Sequence, residues 1–335
     1  MNNKMRDELV KKFLKLLKEE DINWKNGWMI SPYILPENLT TNSKYNGVNK
    51  FNLLLETFNE GYDDPRWCTF NQLKKNGWTL ENAKDKGKKI EYWFPVNIKT
   101  KKSLGWADYN KLSKEEKYDY RILPKIYSVF NASLIKGCPE YIRKKTSEKI
   151  TQIEAVKKLA NKMNIKIIET AGNKVAYFPT IDEIRVPFKE MFKDDYSYNE
   201  TLLHELSHAT GHKSRLNRKI NGAFGSKEYA FEELIANISS MFMVNGLGFN
   251  YTNENLENHK AYVQSWIKII KDKPTILFEA IKEAEKVASY MDYLLEMKTK
   301  EEHEKTVNTS IVIEVNQEKQ KELTKSNELE FMINR

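Results

Sequence analysis

The stretch at residues 201–212, TLLHELSHATGH, decides the interpretation of this chain. It places His204, Glu205 and His208 in the order H-E-x-x-H on a segment whose leucines predict a helix. Residues four apart on a helix share one face, about 6 Å apart along its axis, so both imidazoles can reach one ion. Glu205 then points to the open side of that ion, where it can accept a proton from polarised water. The pattern predicts Zn²⁺ as cofactor, the two histidines as ligands and Glu205 as the catalytic base.

A third ligand is expected from the next helix. His212 extends the histidine series, but a continuous helix places it about 12 Å from His204. We therefore expect it to be a surface histidine or to support a ligand from behind. Glu233 and Asn237 lie four residues apart on a helical face with small neighbours, which can approach the first helix closely. We predict Glu233 as the third ligand, with Glu232 as the alternative, and Asn237 as the residue that orients an imidazole.

Composition indicates two modules with different partners. The chain has 335 residues and a formal net charge of +8. Residues 1–150 hold 29 basic and 19 acidic residues and six of the seven tryptophans, whereas residues 151–335 hold 26 basic and 28 acidic residues. One half is thus basic and aromatic, and the other is nearly neutral. Two isolated cysteines, the lack of a secretory pattern and the lack of a long apolar run predict a cytoplasmic protein without a membrane partner.

The segment before the H-E-x-x-H motif predicts three short strands. Two of them, at 165–169 and 174–178, are separated by Ala171-Gly172-Asn173, which favours a hairpin turn. The third strand, at 183–187, is expected to pair with an extended substrate. Ser197 and Glu200 have the spacing of a capping box, so the motif helix is predicted to open at Ser197. Helices and strands together predict an α+β fold in two domains.

Several longer motifs resemble a known family. In the C-terminal half they are Tyr177-Phe-Pro-Thr180, Ile184-Arg-Val-Pro187, and the stretches at 201–218 and 229–237. In the N-terminal half they include residues 45–49, 67–72, 86–88 and 129–131. On these residues the chain resembles the ArdC-type antirestriction proteins of plasmids and other mobile elements. The resemblance implies an N-terminal domain that binds single-stranded DNA and a C-terminal domain with a zincin-like metallopeptidase fold that carries the H-E-x-x-H helix.

The expected organisation is a DNA-binding domain at 1–145, a zincin-like metallopeptidase domain at 146–298 and a charged, flexible tail at 299–335. An edge strand at 311–315 is one option for the tail.

Single-strand binding needs aromatic faces for the bases and cations for the phosphates. The stacking candidates are Trp28, Tyr45, Trp67, Trp78 and Trp93. The phosphate candidates are Lys44, Lys50, Lys74, Lys75, Lys86, Lys88 and Lys89. Asn49 and Gln72 are expected to contact DNA or to cap local turns.

The resulting functional hypothesis is a single-stranded-DNA-binding antirestriction-type protein with a zinc-dependent peptidase domain. An unidentified protein or peptide would be its substrate. The alternative is a non-proteolytic protein that binds and protects single-stranded DNA, in which the zinc site is structural or vestigial. Each DNA-binding candidate also has a simpler explanation, because most tryptophans pack in protein cores and most lysines lie on solvated faces. An individual candidate that does so would not bind DNA.

Overall fold

The computed structural model describes residues 4–18, 35–142, 151–220, 222–247 and 260–307. The predictions for Trp28 and for a strand at 311–315 lie outside these residues. The chain divides into two compact units, the first formed by residues 1–88 and 128–299 and the second by 89–127 and 300–335. The mixture of helices and strands confirms the α+β prediction. The predicted domain boundaries at residues 145 and 298 stay predictions.

Eight of the helices named below lie in the first unit. They are α1 (Lys4–Lys18), α2 (Gly47–Glu60), the short α3 (Phe70–Lys75), α6 (Gln152–Met163), α7 (Asp195–Ala209), α8 (Lys227–Leu247), α9 (Lys260–Asp272) and α10 (Thr275–Leu294). Two short helices, α4 (Trp106–Lys111) and α5 (Lys114–Lys117), lie in the second unit. Both lie within residues 106–117.

The strands form three sheets. One has the order β1 (Glu37–Asn38), β2 (Arg66–Thr69), β5 (Tyr120–Asn131) and β4 (Lys88–Asn97). A second pairs β3 (Thr79–Leu80) with β6 (Ile135–Lys136). The third has the order β7 (Lys166–Thr170), β9 (Glu183–Pro187) and β8 (Ala176–Phe178).

The third sheet corrects two predictions. Strands β7 and β8 do not pair as a hairpin, because β9 lies between them, parallel to β7 and antiparallel to β8. Both edges of β9 are therefore occupied, so it cannot add an extended substrate to the sheet. Within the described sheet β7 and β8 each have a single neighbour, so β8 has an outer edge that no strand of this sheet covers.

One hydrophobic core joins α1 and α2 to the helices that follow residue 151. Phe13 of α1 and Phe51 of α2 are buried with their rings edge to face, 5.4 Å apart. The same core contains Leu203 of α7, Phe242 of α8 and Trp266 of α9. Burial of these large side chains contributes most of the stabilisation that holds the two halves of the sequence in one unit.

A buried ion pair crosses the same core. Lys50 of α2 places its ammonium 2.8 Å from Glu285 of α10, and both side chains are less than a tenth exposed. The ammonium also lies 4.3 Å above the Phe242 ring, and the Gly47 backbone N–H donates to Glu285 over 3.1 Å. Burial raises the pKa of Glu285, but Lys50 outweighs it and holds that pKa below its usual value. Lys50 is therefore occupied inside the protein and is not available to DNA phosphates.

Among the described residues, no helix is both long enough and apolar enough to cross a bilayer.

Replacing Lys50 by methionine should strongly destabilise the first unit, because it leaves Glu285 buried without its cation. We expect the free energy of unfolding to fall by about 3–5 kcal/mol in urea titrations. The double variant Lys50→Met/Glu285→Leu should recover most of the loss. The control is Lys44→Ala, which breaks an exposed pair with Glu37 and should cost about 1 kcal/mol or less. Equal stability of the Lys50 and Lys44 variants would contradict the account.

Candidate functional site

The helix α7 presents the H-E-x-x-H motif on one face because its leucines occupy the other. Leu202, Leu203 and Leu206 are buried in the core at 2%, 0% and 0% exposure. The helix begins earlier than predicted. Asp194 is its N-cap and accepts a hydrogen bond from the Ser197 backbone N–H over 2.8 Å, so Ser197 lies inside the first turn.

The structure brings the three predicted metal ligands together. His204 Nε2 and His208 Nε2 are 3.2 Å apart, and the Glu233 carboxylate oxygens lie 3.5 Å from each of them. Among the described residues these side chains form the group able to hold a metal ion. Ligands bound tetrahedrally at about 2.1 Å are separated by about 3.4 Å, so the observed spacing fits one divalent ion. Glu233 lies on α8, the helix from which the third ligand was expected.

The charges at this cluster explain how it tolerates burial. Burial raises the pKa of Glu233, but hydrogen bonds from His204 and His208 and their positive charge outweigh it and hold the pKa well below its usual range. Burial lowers the pKa of His208, but hydrogen bonds to Glu232 and Glu233 outweigh it and raise the pKa to about 10. The carboxylate of Glu233 thus stays ionised and is ready to bind a cation.

The residue behind His208 is Glu232, not Asn237. Glu232 Oε1 lies 3.2 Å from His208 Nδ1, the ring nitrogen that faces away from the cluster. A carboxylate in this position orients the imidazole and increases its basicity as a ligand. The Asn237 amide instead donates to the Glu233 backbone carbonyl over 2.8 Å, one turn back on the same helix. The prediction that Asn237 orients an imidazole is therefore not supported by the geometry, because its amide is used within α8.

Arg218 holds Glu232 in place, and the sequence reasoning missed it. Its guanidinium donates to both Glu232 oxygens, over 2.6 and 3.2 Å, and also to Thr210 Oγ1 and the Ser207 carbonyl. These last two acceptors lie at the C-terminal end of α7. Gly211 permits this approach, because a Cβ there would lie 2.5 Å from the Ile220 side chain and 3.2 Å from Arg218. Arg218 therefore ties the orienting carboxylate to the motif helix.

His212 lies away from the cluster. Its Nδ1 is 2.8 Å from Ser214 Oγ and 3.9 Å from Asp182 Oδ2. These contacts fit the expectation that His212 is not the third ligand.

Glu205 is buried between α7 and the edge strand β8. Its exposure is 7%, and its Oε2 accepts a hydrogen bond from the Tyr177 backbone N–H over 2.7 Å. Tyr177 is the middle residue of β8, so this bond shows that the outer edge of β8 faces Glu205. The sequence could not show this contact, since 28 residues separate the two positions.

A second arginine positions β8. The Arg215 side chain, 5% exposed, is paired with Asp182 in the turn between β8 and β9 and donates to the Tyr177 hydroxyl over 3.2 Å. It also donates to the Ala209 carbonyl at the end of α7, over 2.7 Å, and to the Met163 carbonyl at the end of α6, over 3.0 Å. Tyr177 donates to Asp182 over 2.6 Å. This network fixes β8 relative to the helix that carries Glu205.

Two of the predicted DNA-binding residues meet in a polar network. The Asn38 amide lies 3.3 Å from the Tyr45 hydroxyl and 3.3 Å from Gln72 Oε1. Gln72 also accepts from the Thr69 backbone N–H over 2.9 Å and forms a capping box with Thr69 at the start of α3. The capping alternative for Gln72 is therefore confirmed. Burial raises the pKa of Tyr45 to about 12, and its ring is only partly accessible.

The predicted stacking tryptophans differ in accessibility. Trp67 is fully buried, and its ring packs edge to face against Tyr62 at 5.8 Å. It is a core residue in this structure and cannot stack on a base. Trp78 is half-buried against a small core that contains Leu73 and Ala132. Trp93 is half-buried, and its indole N–H donates to Glu91 over 3.0 Å. Asn49 is half-buried on α2.

The predicted phosphate-binding lysines also differ. Lys88 is paired with Glu56 at 2.9 Å and with Glu60 at 3.0 Å, and Lys86 lies 3.6 Å from Glu60. Their charge is thus largely balanced by α2. Lys89 is exposed, as are Lys74 and Lys75 of α3. The DNA-binding roles of these residues stay predictions.

Comparisons with known proteins cover both halves of the chain. Residues 3–130 match the family model of the N-terminal domain of the anti-restriction factor ArdC, and residues 154–283 match that of a zincin-like metallopeptidase. Two Escherichia coli proteins named DNA primase TraC are each 31% identical, over 91% and 84% of this chain. The chain spans only 28% and 19% of the length of these relatives.

Two crystal structures of the antirestriction ArdC protein from the R388 plasmid are also similar. The metal-free structure is 25% identical with a TM-score of 0.67, and the match covers 89% of this chain and 100% of that one. The Mn(II)-bound structure is 27% identical with a TM-score of 0.66, and the match covers 87% and 98%. The chain therefore matches the N-terminal domain of the anti-restriction factor ArdC in its first half and a zincin-like metallopeptidase domain in its second half, and the resemblance to ArdC-type proteins that its motifs predicted is confirmed.

Proposed function

We propose that this chain is an antirestriction-type protein that binds single-stranded DNA and hydrolyses peptide bonds at a zinc centre. The observation that carries the peptidase proposal is the juxtaposition of three ligand atoms 3.2–3.5 Å apart with the buried carboxylate of Glu205 on the same helix. The ArdC N-terminal domain match supports the DNA-binding part.

His204, His208 and Glu233 would hold the ion. Two imidazoles and one carboxylate are a donor set that suits zinc in hydrolytic sites. When bound, zinc supplies a Lewis acid that polarises the substrate carbonyl and lowers the pKa of water. The Mn(II)-bound ArdC structure supports a divalent ion in general, so the choice of zinc is part of the proposal.

Glu205 would act as general base and then return the proton to the leaving amine. The Tyr177 N–H holds one of its oxygens, which leaves the other for water. The outer edge of β8 faces this carboxylate, so an extended peptide could add to the sheet there through the main-chain groups that the bond from Tyr177 to Glu205 leaves free. Arg215 and Asp182 would keep that edge at a constant position relative to Glu205.

A non-proteolytic role is the second candidate. The hydrogen bond from Tyr177 to Glu205 favours it, because it engages an oxygen of the proposed base. In that case zinc would hold α7 and α8 together, and the chain would protect DNA by binding alone.

The ligand assignment predicts a ranking of metal affinities. Glu233→Ala should abolish stoichiometric zinc binding, because it removes a ligand. Glu232→Ala should weaken binding by about 10–100-fold, because His208 loses its orienting carboxylate. Asn237→Ala is the matched control on the same helix and should stay within about threefold of the unmodified protein. Chelator competition measures all three, and the ligand assignment fails if Asn237→Ala weakens binding more than Glu233→Ala does.

The base assignment predicts that Glu205→Gln removes peptidase activity but leaves zinc and DNA binding intact. Loss of the general base should reduce cleavage of an unfolded protein such as casein by at least about 100-fold. The control is Glu228→Gln, an exposed glutamate in the first turn of α8, which should cleave normally. Undiminished cleavage by the Glu205 variant would overturn the assignment. Full DNA protection by that variant would favour the non-proteolytic role.

The DNA proposal predicts tighter binding to a single strand than to a duplex of the same length. Fluorescence anisotropy with a labelled oligo-dT and a matched duplex measures both affinities across a salt series. Binding should weaken steadily as salt rises, because phosphate contacts release counterions. Equal affinity for the two probes would contradict single-strand binding.

A further inference from the structure

The second unit carries a cluster of one exposed and two half-buried aromatic rings that the sequence reasoning did not single out. Tyr92 is 52% exposed on β4. Its ring lies nearly parallel to that of Phe94, with centroids 6.2 Å apart, and edge to face with Tyr127 on β5, at 6.4 Å. The ammonium of Lys125 lies 5.2 Å from the centre of the Tyr127 ring. We call these four residues the aromatic platform.

Strand alternation places the whole platform on one face of β4 and β5. Tyr92 and Phe94 are two residues apart, as are Lys125 and Tyr127, so each pair projects from the same side of its strand. The ring contact between Tyr92 and Tyr127 joins the two pairs.

The other face of these strands is covered by the short helices. Tyr109 of α4 is 4% exposed and packs edge to face against Tyr120 of β5 at 5.7 Å. The Trp106 indole N–H donates to the Trp93 carbonyl over 2.9 Å. The short helix α4 therefore packs on the face of β5 opposite to the platform.

The charge of the 89–127 segment, which carries the platform, favours a polyanion. Residues 89–127 contain nine basic and five acidic residues, and eight of these 39 residues are aromatic. Glu91 is the only acidic residue within β4 and β5, both of which the structure describes in full. Glu91 is 4% exposed and accepts a hydrogen bond from the Trp93 indole N–H, so its negative charge is buried and does not face the solvent beside the platform.

We propose that Tyr92, Phe94 and Tyr127, with Lys125 beside them, stack on the unpaired bases of single-stranded DNA. Exposed aromatic faces next to cations are what a sequence-tolerant single-strand surface needs, because every base has a π face and every nucleotide a phosphate. A duplex hides its base faces, so the platform selects the single strand. The inference rests on the proposed DNA-binding function and locates its stacking contacts.

The experiment measures anisotropy of two labelled probes, an oligo-dT and an oligonucleotide of the same length that is abasic along its centre. The double variant Tyr92→Ala/Tyr127→Ala should bind oligo-dT at least about fivefold more weakly for each ring removed. Tyr92→Trp should bind at least as well as the unmodified protein, because it keeps a stacking ring. The unmodified protein should bind the abasic probe more weakly than oligo-dT, whereas the double variant should no longer distinguish them.

Tyr118→Ala is the control, and Lys125→Ala tests the cation of the platform. Tyr118→Ala removes a tyrosine of the same unit that is 66% exposed but has no place in the platform, and its affinity should not change. Lys125→Ala should reduce the salt dependence by about one phosphate contact. Circular dichroism of each variant checks the fold. If the unmodified protein binds oligo-dT and the double variant binds it equally well, the platform is wrong while DNA binding stands. If the unmodified protein binds neither probe, both proposals fail.

Discussion

Two adjacent carboxylates, Glu232 and Glu233, lie buried on one helix, and each depends on its own positive partner. Burial of an unpaired carboxylate is strongly unfavourable, and two neighbours would also repel each other. Arg218 balances Glu232 from behind, and the two histidines balance Glu233 in front. Glu232 thus orients His208 from behind, whereas the carboxylate oxygens of Glu233 face the proposed ion. Both carboxylates of α8 therefore contact histidines of α7.

Much of the candidate site follows from helical periodicity. Spacing alone places His204 and His208 on one face and removes His212 by distance. It also points to the next helix for a third ligand, and Glu233 lies where that reasoning put it. Adjacent residues on a helix point about 100° apart, so only the packing of α8 on α7 decides which of Glu232 and Glu233 faces the histidines. Asn237 does not take the role given to it in this structure, where its amide nitrogen donates to the Glu233 carbonyl one turn back.

Other features depend on contacts that the sequence does not encode locally. Arg218 reaches Glu232 through an irregular segment after α7, which shows no periodic pattern. The turn at 171–173 favoured a hairpin, but β9 inserts between β7 and β8, because long-range pairing outweighed a local turn signal. The sequence prediction chose mostly tryptophans as the residues that stack on bases. Trp67 fills the core, whereas Tyr92 is 52% exposed, and burial cannot be read from residue type.

The central claim is that one divalent ion is held jointly by His204, His208 and Glu233. Anomalous diffraction at the zinc edge, from crystals of the zinc-loaded protein, tests it most directly. The account predicts one strong peak bounded by the two Nε2 atoms and a Glu233 oxygen at about 2.0–2.2 Å, with Glu232 and Arg218 behind His208. A peak at His212, a peak coordinated by Glu232 in place of Glu233, or no peak between α7 and α8 would contradict it.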